Sequence, residues 1–142
     1  MGFPRNSRQR EVILEELRGV TSHPTASELH EMVRLRIPKI SLGTVYRNLE
    51  KFKQEGLVLK LDGAGEQARF DGNPKQHPHV RCVRCGCVSD LHASPSGLQV
   101  PALSKSHGFE ILGLHIEYVG VCPHCRHELP RDELARLRSL PR

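Results

Sequence analysis

The chain has 142 residues, 37% hydrophobic but only 4% aromatic and without tryptophan, so its core must come from Leu, Val and Ile rather than from large aromatic anchors. Lys and Arg number 21 against 16 Asp and Glu, a net charge of +5, which permits a polyanionic partner without demanding one. The start of the chain lacks the apolar run of a signal peptide and no stretch of about 18 apolar residues could span a membrane, so a cytoplasmic protein is expected, and five cysteines in a reducing compartment argue for metal or redox chemistry rather than disulfides.

In chain order, Val12, Ile13, Leu14 and Leu17 recur at helical spacing before Gly19, which predicts a helix over 8–17. His23-Pro24-Thr25-Ala26 breaks that pattern. Thr25, with Glu28 three residues on, has the spacing of a capping box, and Leu29, Met32 and Val33 carry a second helix that ends before Pro38. Ser41 is a further N-cap, followed by Leu42, Val45, Leu49 and Phe52 at spacings of three, four and three, with Gly56 as terminator. Residues 57–61 and 67–70 are short strand-like runs around the Gly-rich 62–65, a predicted hairpin. Three helices and a hairpin make a winged helix-turn-helix. A Gly- and Pro-containing stretch follows, and beyond it Cys and His dominate, with strand-type runs over 109–121 and a closing helix over 130–140. The expected fold is α+β: a DNA-binding winged helix over 1–72, a hinge at 73–76, and a small α/β domain over 77–142.

The third predicted helix would enter the major groove, where early residues of a recognition helix reach base edges and phosphates. Ser41, Thr44, Tyr46, Arg47 and Asn48 occupy that stretch. With Leu42, Val45, Leu49 and Phe52 buried, Thr44, Arg47, Asn48 and Lys51 point outward; Arg and Asn suit bases or phosphates, and Lys51 suits a phosphate. The plain alternative is an amphipathic helix with a solvated face. Charge favours the DNA assignment: residues 1–61 hold 11 Lys/Arg and 7 Asp/Glu, net +4, against net +1 for the remainder.

Cys82-Val83-Arg84-Cys85 and Cys122-Pro123-His124-Cys125 are paired CxxC motifs, and two such turns complete the four-thiolate shell that zinc favours. A closed shell leaves no position for water, so this zinc is expected to be structural, replacing core that a small domain lacks. Redox-active dithiols are the alternative. Cys87 is left over and is expected to be a small buried hydrophobe. His77-Pro78-His79 puts two imidazoles on one side of an extended segment, a chelating arrangement that Asp71 and Asp90 lie near enough to complete; such an N/O site suits iron, manganese or zinc.

These residues together resemble the ferric uptake regulator (Fur) family of metal-dependent repressors over essentially the whole chain. The resemblance is carried by Ser41-Leu42-Gly43-Thr44-Val45-Tyr46-Arg47-Asn48-Leu49, by residues 77–86 around His77-Pro78-His79 and the first cysteine pair, and by Gly120-Val121-Cys122-Pro123-His124-Cys125. It implies a homodimer reading double-stranded DNA at a palindromic operator. In the peroxide-sensing (PerR) branch the regulatory Fe(II) or Mn(II) is held at positions that His23, Asp71, His77, His79 and Asp90 occupy here. Iron-sensing members more often place Glu where Asp90 stands and His where Gln76 and Leu114 stand, so the resemblance points to the peroxide branch. Gly43, where Ala is usual, is expected to loosen the start of the recognition helix by up to about 1 kcal/mol. Two other classes compete: a metal hydrolase using His77 and His79, which lacks a convincing general base beside them and leaves the basic third helix without a role, so no enzymatic activity is expected, and a zinc-ribbon interaction module, which predicts that partner binding survives loss of the histidines.

Overall fold

The computed structural model describes residues 5–63, 66–92, 107–112 and 116–141. The chain divides into two compact units, Met1–Lys75 and Gln76–Arg142.

The first unit runs α1 (Arg5–Arg18), α2 (Ala26–Arg34), α3 (Leu42–Gln54), β1 (Leu59–Gly63) and β2 (Glu66–Asp71). The starts of α2 and α3 are each capped. The Thr25 hydroxyl accepts from the Glu28 amide at 3.2 Å while the Glu28 carboxylate accepts from the Thr25 amide at 2.9 Å, the reciprocal pair that satisfies two amides with no partner inside α2. Ser41 caps α3 by a single bond, accepting from the Thr44 amide at 3.1 Å. At the far end of α3, Gly56 takes φ 71°, and Leu57 donates to the Phe52 carbonyl while Gly56 donates to that of Lys53. These are the two bonds of a Schellman cap, whose left-handed position suits glycine. Because the Leu57 amide closes the helix, the strand begins at Leu59 and not at 57 as the sequence pattern suggests.

The apolar stripes of the three helices meet in one core of Val12, Ile13, Leu17, Leu29, Val33, Val45, Leu49 and Phe52, closed by Val58 and Phe70. Leu42 departs from the expected stripe and is exposed; side chains tilt toward a helix's N-terminus, which carries that of the first residue beyond the packed surface. Strands β1 and β2 pair antiparallel with Leu59 opposite Asp71 and Leu61 opposite Arg69. The segment before α2 adds to the other edge of β2 through a Thr25–Arg69 bridge and a Phe70 amide to Pro24 carbonyl bond of 3.0 Å.

The second unit contains β3 (His79–Cys82), β4 (Val88–Asp90), β5 (Glu117–Gly120), α4 (Pro123–Glu128) and α5 (Arg131–Ser139). Its sheet has the order β4-β3-β5, with β4 antiparallel and β5 parallel to the central strand. The strand expected over 109–121 is realised only as β5, with 113–115 outside the described residues. Helix α4, which the sequence pattern did not announce, starts inside the second CxxC, with Cys122 as N-cap and Pro123 in the first turn, where a missing amide costs nothing. Among the described residues, the buried apolar side chains of this unit are Val88 and Leu129, beside Cys82 and Cys125. No described helix is long and apolar enough to cross a membrane.

Candidate metal centres and recognition surface

The four cysteines of the paired motifs come together. Cys82 ends β3, and the turn after it passes through Gly86 at φ 73°, with the Gly86 amide on the Cys82 carbonyl at 2.9 Å. The Cys122 amide donates to the Cys82 sulfur at 3.3 Å and the Cys125 amide to the Cys122 sulfur at 3.4 Å. All four Sγ atoms lie within 4.8 Å of one another, and those of Cys85 and Cys122 are 3.8 Å apart. With Zn–S bonds of about 2.3 Å, the edge of a thiolate tetrahedron is about 3.8 Å, whereas a disulfide needs sulfurs about 2.05 Å apart. The donor set therefore fits a tetrahedral soft-ligand ion.

The thiols differ in acidity. Burial opposes ionisation of Cys82, but amides of Cys122, Cys85 and Arg84 outweigh it and bring the thiol down to about 6. Cys122 is lowered chiefly by the Cys125 amide. Burial, reinforced by the neighbouring sulfurs, pushes Cys125 and Cys87 up to about 12. Four clustered sulfurs cannot all be thiolates without a cation among them, and a divalent ion supplies that charge. Cys87 is half-buried.

The HxH pair behaves as strand alternation requires: the rings of His77 and His79 have centroids 4.3 Å apart. Across the β3–β4 ladder His79 stands opposite Asp90, and the Asp90 Oδ1 lies 2.7 Å from His77 Nε2 and 3.3 Å from His79 Nε2. On the other side His79 is paired with Glu117 of β5. Glu117 binds the buried Arg81 through Nε and Nη2 at 3.1 and 3.0 Å, a pair the sequence reading missed because nothing local signals the β3–β5 register.

In the first unit, the antiparallel bridge of Thr25 to Arg69 carries the register two residues further, so His23 comes opposite Asp71. Both are buried, at 2% and 4% exposure, and His23 Nδ1 is 3.7 Å from Asp71 Oδ1. Asp71 also accepts from the Asn73 amide at 2.8 Å, and Gly72 allows a close passage, since a Cβ there would lie 2.9–3.1 Å from atoms of Arg18. Each unit thus presents imidazole and carboxylate groups with no thiol among them, donors suited to Fe(II), Mn(II) or Zn(II).

On α3, Tyr46, Arg47 and Lys51 are exposed and Thr44 and Asn48 half-buried. Thr44 Oγ1 is engaged by Ser41 at 2.9 Å and Arg47 Nη2 at 3.1 Å, and Asn48 donates to the Thr44 carbonyl at 2.8 Å. With Asn6, Ser7 and Arg10 of α1, Thr44, Arg47, Asn48 and Lys51 line a polar cleft of about 430 Å³. Arg10 lies 4.5 Å over the Phe52 ring and pairs with Glu55. A Cβ at Gly43 would come within 3.3 Å of the Arg47 guanidinium, so the glycine leaves room for that side chain. Lys60 of the wing holds Glu50 of α3 at 2.8 Å.

The chain is 36% identical over 121 residues to the peroxide-responsive repressor PerR of Staphylococcus epidermidis, covering 84% of this chain and 80% of that protein. It is 35% identical over 119 residues to the peroxide operon regulator of Bacillus subtilis, covering 82% and 81%. Its fold matches the crystal structure of the Campylobacter jejuni peroxide stress regulator with a TM-score of 0.66 at 25% identity, over 85% of this chain and 91% of that one. The pattern of the ferric uptake regulator family matches residues 4–119. With paired CxxC motifs, a winged helix and a His/Asp donor set in each unit, this chain belongs to the ferric uptake regulator family.

Proposed function

We propose that the chain is a metal-dependent DNA-binding repressor that senses peroxide. The observation that carries this reading is the pair of chemically distinct donor sets: a four-thiol cluster, and buried imidazoles and carboxylates without sulfur. Cys82, Cys85, Cys122 and Cys125 would hold a structural zinc, and His23, Asp71, His77, His79 and Asp90 a regulatory Fe(II) or Mn(II). Residues 1–72 serve as the DNA reader, 73–76 as a hinge and 77–142 as the sensing and dimerisation domain, so a ligand set drawn from both sides of the hinge ties the reader's orientation to metal occupancy. A tenfold change in DNA affinity asks for about 1.4 kcal/mol of preference for the competent state.

The chain's own groups are prepared for this task. Asp90 holds both rings of the HxH pair by one oxygen, which fixes their orientation before any ion arrives. The β2 register sets His23 against Asp71. When bound, Fe(II) supplies the one-electron chemistry by which peroxide oxidises a neighbouring imidazole. An oxidised His23 or His77 no longer offers its ring nitrogen as a ligand, and the hinge is released. Ser41, Thr44, Tyr46, Arg47, Asn48 and Lys51 would contact a palindromic operator as a homodimer in the cytoplasm, with Arg47 the strongest candidate for a base and Lys51 for a phosphate.

The test is operator binding by zinc-loaded protein with Fe(II) or Mn(II), before and after a low dose of peroxide under anaerobic control. Release from the Fe(II) form alone, with a mass gain of one oxygen on the peptide holding His23 or His77, is the expected result. Binding that follows metal occupancy and ignores peroxide would make the chain a metal-homeostasis repressor instead.

A further inference from the structure

His23 is one of two described residues other than glycine with positive φ, at 48°, a left-handed conformation that L side chains rarely adopt without being held there. Its carbonyl shows what holds it. Arg69 Nη1 donates to the His23 carbonyl oxygen at 3.1 Å and to Glu28 Oε2 at 3.0 Å. Glu28 Oε2 in turn accepts from the Thr25 amide at 2.9 Å. The Arg69 side chain is mostly buried, at 15% exposure, and stands on β2 directly opposite Thr25, two residues before Asp71 and on the same face of the strand.

We infer that Arg69 is a positioning residue for the regulatory metal centre, holding His23 in its left-handed conformation through the backbone carbonyl. The inference rests on the assignment of His23 as a ligand made above. If the His23 backbone relaxed to negative φ, the peptide joining it to Pro24 would turn and the imidazole would swing away from Asp71. A guanidinium pinned to that carbonyl opposes the turn. One strand thereby supplies a ligand directly, Asp71, and fixes its neighbour through Arg69. Glu28 completes the arrangement: a cation placed next to a cation site repels the incoming ion unless a carboxylate offsets it, and Glu28 does so while capping α2.

The experiment measures Mn(II) affinity of the zinc-loaded full chain by competition with a fluorescent chelator, for Arg69→Ala, Arg69→Lys, Glu28→Gln and His23→Ala. Zinc content, melting temperature and the backbone HN–Hα coupling of residue 23 in the protein without regulatory metal are recorded alongside. Arg69→Ala should weaken Mn(II) by about tenfold, as loss of groups that orient ligands does, and shift the coupling at His23 away from its left-handed value with zinc content unchanged. Arg69→Lys should restore most of the affinity. Glu28→Gln, which keeps an acceptor for the Thr25 amide, should weaken binding by a smaller factor and serves if Arg69→Ala does not fold. Wild-type affinity and an unchanged coupling in the Arg69 and Glu28 variants, with His23→Ala impaired, would overturn the inference and leave the site standing. Wild-type affinity in His23→Ala would overturn the ligand assignment and the inference with it.

Discussion

The described residues of the two units differ in how much apolar surface they bury. In Met1–Lys75 an unbroken cluster of Leu, Val, Ile and Phe side chains joins three helices and the wing. In Gln76–Arg142 the described residues bury only Val88 and Leu129 as apolar side chains outside the cysteines, and α5 buries none of its own. Burial of apolar surface scales with the area available. Its described residues therefore have little apolar burial to draw on, and a metal bound at the four-thiol cluster between β3 and α4 would add stability. The difference also follows the proposed division of labour: the unit with the extended apolar core carries α3, proposed above to read DNA, whereas the unit with the four-thiol cluster carries the HxH pair.

The sharpest way to break the comparison is to remove zinc. Apparent binding free energies of structural zinc in small domains are about 10–16 kcal/mol, so chelation should unfold residues 76–142 while amide NMR signals of 1–75 stay dispersed. Signals of the second unit that survive chelation would mean that its fold does not need the cluster. Next in size, Leu49→Ala opens a cavity at a fully buried position of α3 and should cost about 3 kcal/mol in urea unfolding, with zinc content unaffected. Loss of zinc from that variant would show that the units are not separable. Thr25→Ala removes the α2 cap and should cost about 1 kcal/mol, again confined to the first unit's transition.

The smallest effect concerns the tie between the wing and α3. The Lys60 hydrogen bond depresses the Glu50 carboxyl below its ordinary 4.5, and the Glu50 bond raises Lys60 above its ordinary 10.5. A depressed carboxyl contributes stability above its unfolded value and loses it as pH falls through the lower folded value. The raised amine contributes below 10.5 and loses it as pH rises through the higher folded value. Both partners are partly exposed, so Glu50→Gln should cost a few tenths of a kcal/mol at neutral pH. Denaturation midpoints of wild type and variant should converge toward acid pH.

The locally coded parts of the molecule were legible in advance. Caps at Thr25 and Ser41, the stop at Gly56, the stripe of Val45, Leu49 and Phe52, and the CxxC and HxH spacings all depend on residues within a turn or two of one another, where steric and hydrogen-bonding preferences act directly. Helix α4 was missed because a six-residue helix beginning at a CxxC has too few turns to show a period, and its cap is a cysteine. The span over 109–121 was overextended because a run of β-prone residues does not say where its partner strand ends.

By itself the sequence determined the elements of the first unit, the donor chemistry and the family. Tertiary structure decided which donors meet: Asp90 beside His77 and His79, His23 opposite Asp71, Arg69 on the His23 carbonyl, Arg81 on Glu117. Each of those pairs except the Asp90 ones joins residues more than 30 positions apart, and even Asp90 arrives through a strand turn. Strand register creates them all, and register is set by the packing of whole sheet faces, where a slip of one residue would exchange every inward side chain for an outward one.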